Sequence, residues 1–162
     1  MSQPLNQERL FFMNIKIQQA DPLSSESQLL VEKLSAELAV ITGDNGKSHF
    51  SAQELNTDRS LWLLARDEAG NAVGCGALRP LAKHTAEVKR MYSDRSVPGV
   101  GAALLEYLET RAKNMKYREI RLSTRVINRR AVAFYHRSGY TQIENYGPYI
   151  DRNESICFAK TL

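Results

Sequence analysis

Apolar positions change their period several times along the chain, and each period predicts an element. Ile15 and Ile17 alternate with Lys16 and Gln18, the two-residue repeat of a short half-buried strand. Asp21-Pro22 interrupts it. Leu30, Leu34, Leu38 and Ile41 then recur at spacings of four, four and three, which predicts an amphipathic helix. Ser25 with Gln28 resembles a capping box at its start, and Gly43 stands where it should stop. A turn-rich loop at 43–47 leads to a short helical stretch near 51–55.

The middle of the chain is β-rich. Leu61–Ala65 is an apolar run, 67–71 a turn around Gly70, and Ala72–Leu81 a second strand with Gly74 and Gly76 flanking Cys75. Thr85–Ser93 is a third strand. After Gly99 the period lengthens: Val100, Ala103, Leu104, Leu108, Ala112 and Met115 mark one face of a helix of about four turns. Ile120–Thr124 reads as a strand, Asn128–Arg137 as a helix closed by Gly139, and Tyr140–Ile143 and Ser155–Ala159 as the last strands. A meander followed by interleaved helices and strands predicts a mixed α/β sheet with helices on both faces. Residues 1–12 read as a loosely attached leader and 13–162 as one domain.

Composition narrows the function. A chain of 162 residues, 43% hydrophobic and 25% charged, buries a sufficient core without disulfide or metal staples. The 22 basic and 18 acidic side chains leave a formal charge of +4, which suits a handler of an anionic small molecule and argues against a nucleic-acid partner. No apolar run approaches the ~20 residues that span a bilayer, and the polar N-terminus is no signal peptide, so a cytoplasmic protein without a membrane partner is expected. Cys75 and Cys157 make neither a disulfide framework nor a zinc site, and His49, His84 and His136 lack ligand spacing, so no metal is expected.

The densest chemical signal is the strand-to-helix junction Ala86–Leu105. The first-turn amides of a helix lack internal partners and carry the positive end of its dipole. Gly99 and Gly101 would let a phosphate approach them closely, and Arg95 adds a charge. The junction therefore reads as a pyrophosphate cradle or, more plainly, as a helix start with loop glycines. Two other phosphate motifs fit poorly. Gly46-Lys47-Ser48 supplies the tail of a P-loop, but Ile41 stands where its first glycine belongs. A dinucleotide fingerprint would need a third glycine where Leu104 stands, and Glu119 precedes its strand. Tyr146 and Tyr149, beside Gly147-Pro148, could wall a pocket in which Asp151 attracts an ammonium; loop packing is the plainer reading. Arg121, Arg125, Arg129 and Arg130 read as a solvated face or as a phosphate contact.

Asn128, Ala131, Phe134, Tyr135, Gly139 and Tyr140 stand in the register of a motif N-x-x-A-x-x-F-Y-x-x-x-G-F, about thirty residues after Ser96-Val97-Pro98-Gly99-Val100-Gly101. Together they resemble the GNAT superfamily of N-acetyltransferases. The arginine of the earlier motif stands one residue early, at Arg95, with Ser96 in its place. The resemblance implies a single-domain, mostly antiparallel twisted sheet with helices on both faces and a splay between the strands at 85–93 and 119–124. It implies acetyl-CoA as donor and an amine as acceptor, with a homodimer common among similar proteins. Pantetheine would pair with Met91, Tyr92 and Ser93, and the pyrophosphate would lie on the amides of Val97, Pro98, Gly99, Val100, Gly101 and Ala102. Asn128, Ala131, Phe134 and Tyr135 would flank the cofactor arm, with Asn128 also the helix N-cap. Glu87, by itself a solvated strand glutamate, matches a strand glutamate that acts as base or positions water, and Tyr135, by itself a core aromatic on a helix, a tyrosine that protonates the departing thiolate. A non-catalytic acyl-CoA sensor on the same fold is the alternative.

Overall fold

The computed structural model describes residues 14–47, 51–55 and 57–162; the leader expected at 1–12, Met13 and His49 lie outside them. The elements are β1 (Lys16–Gln19), α1 (Ser25–Thr42), a 3-10 turn (Ala52–Leu55), β2 (Leu61–Arg66), β3 (Ala72–Ala82), β4 (Thr85–Ser93), α2 (Val100–Asn114), β5 (Glu119–Arg125), α3 (Arg129–Arg137), β6 (Thr141–Ile143), a second 3-10 turn (Gly147–Tyr149) and β7 (Ser155–Thr161). Seven strands form one sheet in the order β1-β2-β3-β4-β5-β7-β6. Every neighbouring pair is antiparallel except β4 and β5, which the crossover through α2 makes parallel.

Alternation along β2 shows how the sheet is covered. Leu61, Leu63 and Ala65 belong to a core with Leu104, Leu105 and Leu108 of α2 and Tyr135 of α3. Trp62 and Leu64 point the other way and pack with Leu30 of α1, Cys75 and Ala77. Helices thus cover both faces, and a fully apolar strand between them is the expected sequence. The cap of α1 is Ser24, one residue before the serine read from the sequence: its hydroxyl accepts from the Ser27 amide at 3.2 Å. Ser27 is itself buried, donating to the Asp21 carbonyl (2.7 Å) and accepting from Trp62 Nε1 (2.9 Å), so the strand break at Asp21-Pro22 and the core tryptophan fix where the helix begins. Gly43 ends α1 with φ 79°, a conformation that favours glycine. Among the described residues no helix is long and apolar enough to cross a membrane.

Candidate active site

The site begins with a flaw in β4. Between the pairs Cys75↔Tyr92 and Ala77↔Lys89, β3 supplies one residue, Gly76, and β4 supplies two, Arg90 and Met91. This is a β-bulge, which bends and twists its strand. Arg90 takes φ 54°, unusual for a residue with a side chain. Its buried guanidinium donates to Ser35 Oγ (2.5 Å) and the Val31 carbonyl (3.2 Å) on α1 and to the Asn45 carbonyl (3.3 Å), tying the bulge to the helix. β4 parts from its parallel neighbour already ahead of the bulge. The β4–β5 ladder stops at Glu87↔Arg121, although β4 runs on to Ser93 and β5 to Arg125. The splay implied by the resemblance is present, and one edge of Met91, Tyr92 and Ser93 opens onto it.

The second part is the start of α2. Gly99 occupies the N-cap position with φ 86° and no side-chain cap. The first hydrogen bond of the helix runs from the Ala103 amide to the Gly99 carbonyl at 2.9 Å, so the amides of Val100, Gly101 and Ala102 precede any intrahelical acceptor. Phe134 of α3 lies across this turn, 3.4 Å from where a Cβ on Gly101 would stand. Arg95, at φ 64°, sends its guanidinium to Glu37 of α1 at 2.8 Å.

Splay and helix start share one cleft of about 690 Å³. Its walls bring together Met91, Tyr92, Ser93, Arg95 and the six residues Val97–Ala102, with Asn128, Ala131, Phe134, Tyr135 and Tyr149. Ser96 is not among them: its amide and hydroxyl both turn to Asp94 Oδ1, at 2.9 and 2.6 Å. Asn128 caps α3 by accepting from the Ala131 amide at 3.3 Å while still lining the cleft. Tyr135 is buried against Phe134, Tyr140 and Phe158, and burial raises its phenol well above the ordinary value. Among the described residues its hydroxyl has no hydrogen-bond partner. The basic cluster divides: Arg125 and Arg130 line the cleft, Arg121 pairs with Glu119, and Arg129 is exposed.

Glu87 sits behind the cleft, 1% exposed and on the α1 side of the sheet. Arg79, opposite it on β3, bonds Oε1 through Nε at 2.8 Å and Nη2 at 2.6 Å and also pairs with Glu54. The Tyr146 hydroxyl donates to Oε2 at 2.5 Å. Tyr146 packs edge-on against Tyr149, and Lys89 donates to the Tyr149 hydroxyl at 2.7 Å. Burial, then the charge on Glu87, pushes both phenols up; burial lowers the Lys89 ammonium against the opposing pull of Glu87. Asp151 is exposed at a turn, φ 64°, away from the cleft walls. Cys75, pushed up to about 12 by burial, remains a thiol. Among the described residues no group of three or more metal-ligating side chains assembles.

The sequence reading missed Lys89 and Arg90. Two adjacent basic residues in a strand read as solvated, and nothing local announces a bulge that redirects them. Arg79 was not recoverable by counting either: a regular hairpin turning at 83–84 would set it across from Val88, and a register shift between Pro80 and Ala82 brings it opposite Glu87.

A model of the acetyltransferase (GNAT) family matches residues 29–140. An IAA acetyltransferase of Azospirillum brasilense is 29% identical over 152 residues, 92% of this chain and 99% of that protein. A Klebsiella pneumoniae protein classed among the acyl-CoA N-acyltransferases shares 28% identity at TM-score 0.77, covering 91% of this chain and 97% of that one. A GNAT family acetyltransferase of Elizabethkingia anophelis, solved with acetyl-CoA bound, superposes at TM-score 0.67 with 18% identity over 92% of this chain and 99% of its own. With splay, helix start and family match all in one domain, the chain belongs to the acetyltransferase (GNAT) family.

Proposed function

We propose that this protein transfers the acetyl group of acetyl-CoA directly to a primary amine, with no covalent enzyme intermediate. The observation that carries the reading is the joining, in one cleft, of an open strand edge, an uncapped helix start and a buried tyrosine. Acetyl-CoA, when bound, supplies a thioester already activated for attack. Its diphosphate fits the amides of Val100, Gly101 and Ala102, where Gly99 and Gly101 leave the backbone bare. Its amide-bearing arm fits the free edge of Met91–Ser93, and a backbone N–H there is suited to an oxyanion. Asn128 holds the turn of α3 that brings Phe134 and Tyr135 to the same wall.

On this reading Tyr135 is the proton donor to the leaving thiolate. Its raised pKa keeps the phenol protonated through the neutral range. Glu87 acts at one remove. Both of its oxygens are occupied by Arg79 and Tyr146, so it fixes Tyr146, which lies outside the cleft lining and packs on the Tyr149 that borders it, instead of touching the amine. The carboxylates on the cleft walls, Glu37, Asp44 and Glu154, each face an arginine. The acceptor's proton therefore leaves to water in the open cleft.

The test is release of free CoA thiol in the presence of a panel of amines. Acceptor-dependent release supports the reading. Tight acetyl-CoA binding with no release for any amine would favour the non-catalytic sensor.

A further inference from the structure

The cleft contains a half-buried cation that, among the described residues, makes no direct ion pair, although the charge of Glu87 acts on it from behind. Lys89 lines the cleft on β4, half-buried, and its only hydrogen-bond partner among the described residues is the neutral hydroxyl of Tyr149. Lys89 forms no ion pair with any described carboxylate. The carboxylates whose charge acts on it are bonded elsewhere, Glu87 to Arg79 and Tyr146 and Glu54 to Arg79, and on the cleft walls Asp44 pairs with Arg125 and Glu154 with Arg152. Sinking an ammonium into such a site costs free energy unless an anion completes it. A core strand could have filled the position with an apolar residue, so the cation argues for a ligand.

Lys89 precedes Ser93 by four residues, roughly 10–13 Å along the strand, and the loop to the helix start lies beyond that. The diphosphate cradle and Lys89 are therefore at opposite ends of the cleft, and the anion Lys89 awaits is not the donor's diphosphate. Leu34 and Leu38 of α1 and the ring of Tyr149 give the same cleft an apolar wall.

We propose that the physiological acceptor is an amine that also bears an anionic group, a carboxylate or a phosphate, and that Lys89, steadied by Tyr149, binds that group. The inference rests on the transferase reading above and adds to it the substrate class. Lys89 is on this view a specificity residue, a point charge that anchors one end of the acceptor while its amine faces the thioester.

The experiment compares matched acceptors by CoA release: phenylalanine against phenethylamine, 5-aminovalerate against pentylamine, and phosphoethanolamine against ethanolamine. The first two pairs read a carboxylate and the third a phosphate. The native enzyme is expected to favour the anionic member of at least one pair by about tenfold or more in kcat/KM, mostly through KM. In Lys89→Met that ratio collapses toward one, and in Lys89→Arg the preference keeps its direction. Tyr149→Phe, which frees the ammonium without removing it, lowers the ratio partway and reads the same contact if Lys89→Met does not fold. Equal use of both members of every pair, or a preference unchanged in Lys89→Met, overturns the proposal and leaves the transferase reading standing. Addition of an acetyl group to Lys89 itself, detected by peptide mass after incubation with acetyl-CoA, also overturns it, because the amine would then be a nucleophile and not an anchor. No transfer to any amine would bring down both readings together.

Discussion

Gly74→Ala is the change that ties fold to cofactor most directly. A Cβ at Gly74 would stand 2.5 Å from Val100 Cγ1 and 2.8 Å from the Tyr92 carbonyl oxygen, with Leu104 Cδ1 at 3.2 Å. Val100 opens α2, and Tyr92 borders the splay. The methyl group falls roughly an ångström short of ordinary contact, and the Tyr92 carbonyl is backbone that cannot swing aside. Gly74 has no left-handed φ, so the cost is steric and not conformational. Overpacking of this kind costs about 1–3 kcal/mol, or about 2–12 °C in Tm for a domain of this size. Relief must come from moving the start of α2 away from the sheet, which displaces the bare amides. Acetyl-CoA affinity should then weaken by about 10- to 100-fold, since charge-assisted contacts depend on placement at that scale. Gly76→Ala is the control. Its Cβ would meet Met91 Sδ at 2.6 Å, the movable end of a flexible side chain, so affinity should suffer less. Thermal melts and calorimetric titration with acetyl-CoA read both quantities. Native melting and native affinity in Gly74→Ala would refute the reasoning, and equal damage from Gly76→Ala would show that the Tyr92 contact is not its cause.

Three further outcomes are expected. Tyr135→Phe should lower kcat by about 10²–10⁴ with acetyl-CoA affinity within a few fold, measured by thiol release and titration; native kcat should show no basic limb below the ordinary tyrosine pKa of about 10, because burial pushes this phenol upward. Gly101→Glu, which sets a carboxylate against the diphosphate and a bulky chain against Phe134, should abolish acetyl-CoA binding by calorimetry, whereas normal affinity would place the cradle elsewhere. Glu87→Gln should lower Tm measurably and kcat by no more than about tenfold, since it weakens the Arg79 and Tyr146 contacts without removing a group that touches the amine; a loss of a hundredfold or more at native Tm would make Glu87 the base after all.

The periodic parts of the molecule were legible in its sequence because one local interaction dominates each of them. The face of α2 follows from Val100, Ala103, Leu104, Leu108 and Ala112, all buried in the structure. The bounds read for β4 match the strand because turns flank it on both sides. What could not be read depends on partners far away in the chain. Glu87 in a strand looks solvated until Tyr146 arrives from 59 residues on, and Arg90 until Ser35 approaches from 55 residues back. Ser24 took the cap from Ser25 for the same reason: the choice is made by Ser27 reaching Trp62, 35 residues away. The candidate cofactor residues were named more completely than the acceptor end because helix starts and glycines are local devices. The end proposed for the acceptor draws instead on α1, β4, β5 and the β6–β7 loop, which only the fold brings together.

The bulge explains why a single strand can serve both ends of the cleft. Without it, side chains two apart on β4 would share a face. Glu87 and Lys89 lie on the α1 side with Arg79, whereas Met91, two residues after Lys89, packs into the core on the α2 side over Gly76. The extra residue turns the strand over within the stretch that has already left β5, whose ladder ends at Glu87, so the free edge beyond it carries Met91 and Tyr92 on exchanged faces. Arg90 bears a left-handed φ, a strain of about 1–2 kcal/mol, and its bonds to Ser35, Val31 and Asn45 hold it there. Those bonds also fix α1, whose Leu34 and Leu38 wall the cleft. One irregular residue thereby ties the splayed part of β4 to the helix opposite it. Divergence in acceptor choice would accordingly be expected in side chains such as Lys89 and in the β6–β7 loop, which can change while the bulge stays as it is.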